Sequence, residues 1–150
     1  MKSKVILVED ESDLRVIISD VLRDEGFEVL IASNGLEGLK KVKEEAPEIV
    51  VADVMMPQMD GFTMAKEIRK FNSYIPILFL TAKSSIEDIE EGFETGANDY
   101  IKKPFELREL LIRIKALLRK NLLPEIEEHI YQIGKYLFNS TSQILKFENS

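Results

Sequence analysis

Cysteine and tryptophan are absent from the chain, and histidine occurs once, at His129. Without thiols there is neither a disulfide nor a thiolate metal site, and one imidazole in a polar stretch cannot build a histidine cluster or serve as a phosphodonor. No apolar run approaches the roughly 20 residues that a bilayer-crossing helix requires. The opening MKSKVILVED passes from a short apolar segment directly into acids. It therefore lacks the hydrophobic region and small-residue cleavage site of a signal peptide, and a cytoplasmic location is the expectation. Basic residues are outnumbered, with 20 Lys and Arg against 27 Asp and Glu, for a net charge of -7. That balance argues against a nucleic-acid face in these residues, because neutralising phosphates needs clustered cations. What is present, 45% hydrophobic and 31% charged residues in a chain of 150, suits one globular core with an appendage.

Short β-branched runs alternate with amphipathic helical patterns. VILV (5–8) precedes Leu14, Ile17, Ile18, Val21 and Leu22 at helical spacing, and Gly26 marks the helix end. FEVLIA (27–32) precedes a helix with Leu36, Leu39 and Val42 that Pro47 closes, and IVVA (49–52) precedes one with Ala65, Ile68 and Phe71. Pro76 opens ILFL (77–80), followed by a helix with Ile86, Ile89 and Phe93 that Gly96 stops; DYI (99–101) leads to a last helix with Leu107, Leu110, Leu111, Ile114 and Leu118. Five strands alternating with five helices predict an α/β fold, a (βα)5 doubly wound parallel sheet covered on both faces, for which strand order 2-1-3-4-5, one of the common doubly wound orders, is the expectation. The periodicity stops near Asn121. Residues 121–130, NLLPEIEEHI, read as a linker broken by Pro124, and residues 131–150 read as a hairpin-like tail in which NSTS separates YLF from ILKF.

In open α/β sheets the ligand crevice lies beyond the carboxyl ends of the strands. There the sequence sets Glu9 and Asp10 after the first strand, Asp53 after the third, Thr81 at the end of the fourth, and Lys103 with Pro104 after the fifth. In the expected order these strands are neighbours about 4.8 Å apart, so three carboxylates, a hydroxyl and an ammonium converge. Carboxylates held so close repel, and a hard divalent ion with oxygen ligands, Mg2+, relieves the repulsion best. The set suits phosphoryl transfer: Asp53, central on the sheet, is the nucleophile, while Thr81, Lys103 and the ion stabilise charge on the transferred group. Taken singly, an acid pair after a strand is a solvated turn and Lys-Pro a common turn; their conjunction at one end of the sheet favours the functional reading.

These residues resemble the receiver domain of two-component response regulators over residues 1–120, in ILVEDE, VVADVMMPQMDG, ILFLTA and GANDYIKKPF. The resemblance implies that Glu9, Asp10, Asp53 and the Met55 carbonyl hold Mg2+, that Asp53 accepts the phosphoryl group from a sensor histidine kinase, and that Thr81 and Lys103 bind its oxygens. It implies a cis Lys103–Pro104 peptide. It also implies a switch, in which Thr81 moves toward the phosphoryl group and Tyr100 turns into the space it leaves. Positions 55 and 83 tune self-dephosphorylation in the family, and Met55 and Lys83 offer no carboxylate or amide to position water, so slow hydrolysis is expected. The chain's only catalysis would be on itself.

The ELRELLIRIKALLRK helix and the tail resemble OmpR/PhoB-type regulators, whose winged-helix DNA-binding domain opens with a small antiparallel sheet. On that reading residues 131–150 are an incomplete effector sheet, and the DNA-binding output controlling transcription lies outside this chain. The resemblance implies a phosphorylation-dependent homodimer through the fourth helix, fifth strand and fifth helix, with Glu94 pairing Lys115 and Asp99 pairing Arg113. Ile89 replaces the basic partner expected for Glu109. A stand-alone receiver acting by protein binding is the alternative. A haloacid-dehalogenase-type phosphatase would need a second acid where Met55 stands, and a flavodoxin-like carrier would need a phosphate-cradling loop in place of Glu9 and Asp10.

Overall fold

The structure, a computed structural model, describes residues 2–119. The expected linker and tail, residues 121–150, lie outside the described residues. The elements run β1 (Lys4–Val8), α1 (Ser12–Asp24), β2 (Glu28–Ala32), α2 (Gly35–Glu45), β3 (Ile49–Ala52), α3 (Gly61–Arg69), β4 (Ile77–Thr81), α4 (Ile86–Glu94), β5 (Asp99–Lys102) and a helix, α5, over 107–119. All four pairings are parallel, as the alternation of runs predicts, and the strand order is the expected β2-β1-β3-β4-β5.

The central strands are buried along their whole length because both faces of the sheet are covered. Side chains of alternating parity enter two separate cores. Val5, Leu7, Ile49, Val51, Leu78 and Leu80 pack with Ile18 and Leu22 of α1 and Leu110, Ile114 and Leu117 of α5. Ile6, Val8, Val50, Ala52, Ile77 and Phe79 pack with Val42 of α2 and with Phe62, Met64, Ala65 and Ile68 of α3. Burying side chains of this size stabilises by about 1.5–3 kcal/mol each. Helix starts follow local chemistry: the side chains of Asn34, Asp60 and Ser85 each accept a hydrogen bond from a backbone N–H three residues on.

The helical pattern misjudges four places, one of them Ile17 of α1, which is 49% exposed. Leu36 at the first turn of α2 is half exposed, and Phe71 lies past the end of α3, exposed beneath the Lys43 ammonium at 5.4 Å. In α4 the only buried residue is Gly92, while Ile86 (76%) and Phe93 (47%) face outward. The apolar stripe of α4 is real, but the sheet ends at β5 and the helix lies over its edge with less sheet to cover.

Candidate functional site

Register brings the site together. Val8 is paired with Ala52, and the ladder continues one step as the Asp53 N–H donates to the Val8 carbonyl at 3.0 Å, so Glu9 and Asp53 leave adjacent strands at one level. Thr81 is paired with Lys102, and the Lys103 N–H donates to the Thr81 carbonyl at 2.9 Å. The Lys103–Pro104 peptide is cis. The Lys103 ammonium donates to Asp53 Oδ2 at 2.8 Å and to Glu9 Oε1 at 2.9 Å. Glu9 is 1% exposed and Asp53 8%, whereas Asp10 faces solvent.

Burial pushes the Glu9 carboxyl above its ordinary range; the Lys103 hydrogen bond opposes this and the Asp53 charge adds to it. Burial alone would depress the Lys103 ammonium, but its hydrogen bonds to Asp53 and Glu9 outweigh that and hold it above 10.5. One carboxylate oxygen each from Glu9, Asp10 and Asp53 lies within 4.8 Å of the others. That span is near the roughly 4.2 Å between opposite ligands of an octahedral Mg2+ with 2.1 Å bonds. Three carboxylates against one ammonium leave two formal negative charges, which a divalent ion balances. The donor set, all hard oxygen, fits Mg2+ and no soft metal.

Beside these groups opens a crevice of about 460 Å³, lined by Asp10, Val54, Met55, Met56, Asp60 and Lys83. The Met55 N–H donates to Asp53 Oδ1 at 3.2 Å, while the Met55 side chain is exposed. Gly61 holds this loop tight. Its N–H donates to the Val54 carbonyl at 2.7 Å, and a Cβ there would stand 2.4 Å from the Asp53 carbonyl oxygen. Thr81 is wholly buried, and its Oγ1 accepts from the Lys83 N–H at 3.2 Å. Tyr100 is paired across the sheet with Phe79, two residues before Thr81 on the same face, and its hydroxyl donates to the Lys83 carbonyl.

The sequence pattern did not point to Arg15, whose guanidinium donates to the Glu9 carbonyl from the first turns of α1 at 2.7 Å, nor to Asp60 in the crevice wall. A basic residue six positions beyond an acid is no signal by itself. Three of the residues expected at an intersubunit face, Asp99, Arg113 and Lys115, are engaged within the chain. Arg113 pairs with Asp99 at 3.0 Å and with Glu109 at 3.4 Å, and Lys115 pairs with Glu25 of the α1 end at 3.0 Å. Glu109, for which Ile89 offers no cation, thus has Arg113 as its partner.

A doubly wound sheet whose carboxyl edge carries three clustered acids bridged by a lysine, with a threonine ending the adjacent strand, is a CheY-like α/β domain. Residues 5–115 match the response regulator receiver domain, and the chain belongs to that family. Among curated relatives it is 43% identical to the transcriptional regulatory protein RprY of Bacteroides fragilis over 145 residues, covering 96% of this chain and 61% of RprY. It is 41% identical to the alkaline phosphatase synthesis transcriptional regulatory protein PhoP of Bacillus subtilis over 121 residues, covering 81% of this chain and 50% of PhoP. These relatives are OmpR/PhoB-type regulators, and the chain spans about half to three fifths of their length. Among solved structures, the receiver domain of the sensor histidine kinase PA1611 from Pseudomonas aeruginosa, described with a magnesium ion coordinated in its active-site cleft, matches at 28% identity with a TM-score of 0.73. That match covers 79% of this chain and 98% of the PA1611 domain.

Proposed function

We propose that the chain is the phosphorylation-dependent switch of a two-component system and that Asp53 is its phospho-acceptor. The observation that carries this is the pair of bonds from Lys103 to Asp53 and Glu9 inside a three-carboxylate cluster at the carboxyl edge of the sheet. An Asp53 carboxylate oxygen attacks phosphorus of a phosphohistidine on a sensor histidine kinase. The new P–O bond forms as the P–N bond breaks, and the imidazole leaves carrying a proton from solvent. Glu9, Asp10, Asp53 and the Met55 carbonyl would hold Mg2+, which would supply neutralisation of oxygen charge on the transferred group. Lys103 takes a phosphoryl oxygen, and the Thr81 hydroxyl turns from the Lys83 N–H to take another. The protein catalyses only its own phosphorylation and dephosphorylation, in the cytoplasm.

The output is a population shift of the α4–β5–α5 face, read through Thr81 and Tyr100. Exposed Ile86 and Phe93 on α4 and Ile112 on α5 support homodimerisation there, rimmed by Glu94, Asp99, Arg113 and Lys115. As in the OmpR/PhoB-type relatives, a DNA-binding domain beyond these residues would control transcription. A stand-alone receiver acting by protein binding shares the chemistry and differs in that output.

Incubation with acetyl phosphate and Mg2+ tests the acceptor. The wild type gains the mass of one phosphoryl group and Asp53→Asn does not; equal gain on both removes Asp53 from its role. With Met55 and Lys83 flanking the phosphoryl group, phospho-Asp53 is expected to hydrolyse slowly, and decay within seconds would contradict that.

A further inference from the structure

Gly92 is an unfavourable residue for the place it occupies. It lies inside α4, where alanine would favour the helix by roughly four- to fivefold, and its backbone is helical, so no left-handed turn demands glycine. What it faces explains it. A Cβ at Gly92 would stand 2.9 Å from Tyr100 Cε2, closer than real Cβ atoms approach, and 3.0 Å from Tyr100 Cδ2, with Phe62 Cε1 next at 3.4 Å. The Tyr100 ring therefore lies directly on the bare backbone of α4. On its other side it meets Phe79 edge-on, with ring centroids 6.2 Å apart, and Phe79 meets Phe62 in the same way at 5.3 Å. From that position the Tyr100 hydroxyl reaches the Lys83 carbonyl, and the Lys83 N–H is bound to Thr81 Oγ1 at 3.2 Å.

We propose that Gly92 is a positioning residue of the switch: the missing Cβ makes a seat in α4 that holds Tyr100 where its hydroxyl meets the Lys83 carbonyl. The inference rests on the reading of Thr81 and Tyr100 as the switch pair, and it goes further by placing the pose of Tyr100 under the control of one position on α4. Residue 83 is then the junction, its N–H facing Thr81 and its carbonyl facing Tyr100. A side chain at position 92 lifts the ring from the seat and separates the output face from events at Asp53. The raised phenol of Tyr100, at about 12 through burial and the nearby charges of Asp88, Asp53 and Glu91, agrees with a ring seated rather than solvated.

The test uses the full chain with 13C-labelled tyrosine rings, unphosphorylated, as wild type and as Gly92→Ala, with Tyr100→Phe identifying the Tyr100 signals among the four tyrosines. Wild-type Tyr100 signals are expected to be displaced by the ring currents of Phe62 and Phe79, and Gly92→Ala to move them toward the position of free tyrosine. Urea unfolding of Gly92→Ala in the wild-type and Tyr100→Ala backgrounds supplies a second measure. The fourfold to fivefold helix gain is expected only where Tyr100 has been removed, since then the Cβ has room. Folding of Gly92→Ala only in the Tyr100→Ala background supports the seat as well. Unmoved Tyr100 signals, the same gain in both backgrounds, or failure to fold in both overturns it. Because these measurements are made without phosphodonor, they stand apart from the acetyl phosphate test, whose failure would instead sink the switch reading.

Discussion

Lys103 shows how one side chain sets the character of a site. Its ammonium is shared between two nearly buried carboxylates and offsets part of their charge. Tyr100 carries a different residue-scale consequence. Its phenol is raised from 10.0 to about 12, first by burial, so folding favours the neutral form. That contribution is complete below pH 10.0 and is lost as pH rises through about 12, the sense required when the folded state binds the extra proton. Lys103, also raised, loses its contribution above 10.5 with the same sign, so the wild-type slope contains both. Tyr100→Phe is expected to be less stable by about 1 kcal/mol at neutral pH, for the lost bond to the Lys83 carbonyl. Its unfolding free energy should also fall less steeply from pH 10 to about 12. Urea titrations at stepped pH measure both, and parallel slopes would remove Tyr100 as a contributor.

At the scale of elements, the site depends on how closely α3 approaches the end of β3. A Cβ on Gly61 would meet the Asp53 carbonyl oxygen at 2.4 Å and Val54 Cα at 2.9 Å, and both are backbone atoms, which no rotamer change can move. Gly61→Ala must therefore shift the loop that carries Asp53, Met55 and Met56. It is expected to cost about 1–3 kcal/mol of stability, by analogy with overpacked cores, and to slow acetyl phosphate labelling of Asp53. An alanine variant with wild-type unfolding and labelling would show that the loop is not held there. At the opposite end of α3, at the amino edge of the sheet, Arg69 fastens the α4–β5 turn, with Nη2 on the Gly96 carbonyl at 2.7 Å and on Asn98 Oδ1 at 3.0 Å. Burial lowers the Arg69 guanidinium below its usual value, yet these bonds keep it satisfied.

At the scale of the whole molecule, α4 leaves an apolar stripe outward, and the two cations expected at that face, Arg113 and Lys115, are occupied within the chain. Arg113 is held above its ordinary value by its bond to Asp99, and Lys115 is bound to Glu25. A dimer through α4, β5 and α5 would exchange these pairs across an interface. Exposed ion pairs contribute only about 0–1 kcal/mol each, so apolar contact would decide its strength. Ile112→Glu is accordingly expected to leave phosphorylation by mass intact while weakening phosphorylation-dependent dimers at least about tenfold by sedimentation, since burying an isoleucine is worth about 1.5–3 kcal/mol. Unchanged dimers in that variant would move the interface elsewhere.

Strand and helix identity and the meeting of Glu9, Asp10, Asp53 and Lys103 at one edge were legible in the sequence, because two-sided burial writes continuous apolar runs and because strand ends bring their next residues to one edge. Glu9, Asp53 and Lys103 needed only that rule. The outward faces of Ile86, Phe93, Leu36 and Phe71 were not legible: a 3.6-residue period marks an apolar stripe but not whether anything covers it. Nor was the seat beneath Tyr100, since a helical glycine acquires meaning only when the ring of another element lies where its Cβ would be, here 2.9 Å from that point. The linear order of residues determined which groups meet at the carboxyl edge of the sheet. Only packing between elements decided which cations are already paired, which helix face stays open, and how Tyr100 is held, because each depends on distances between segments far apart in the chain.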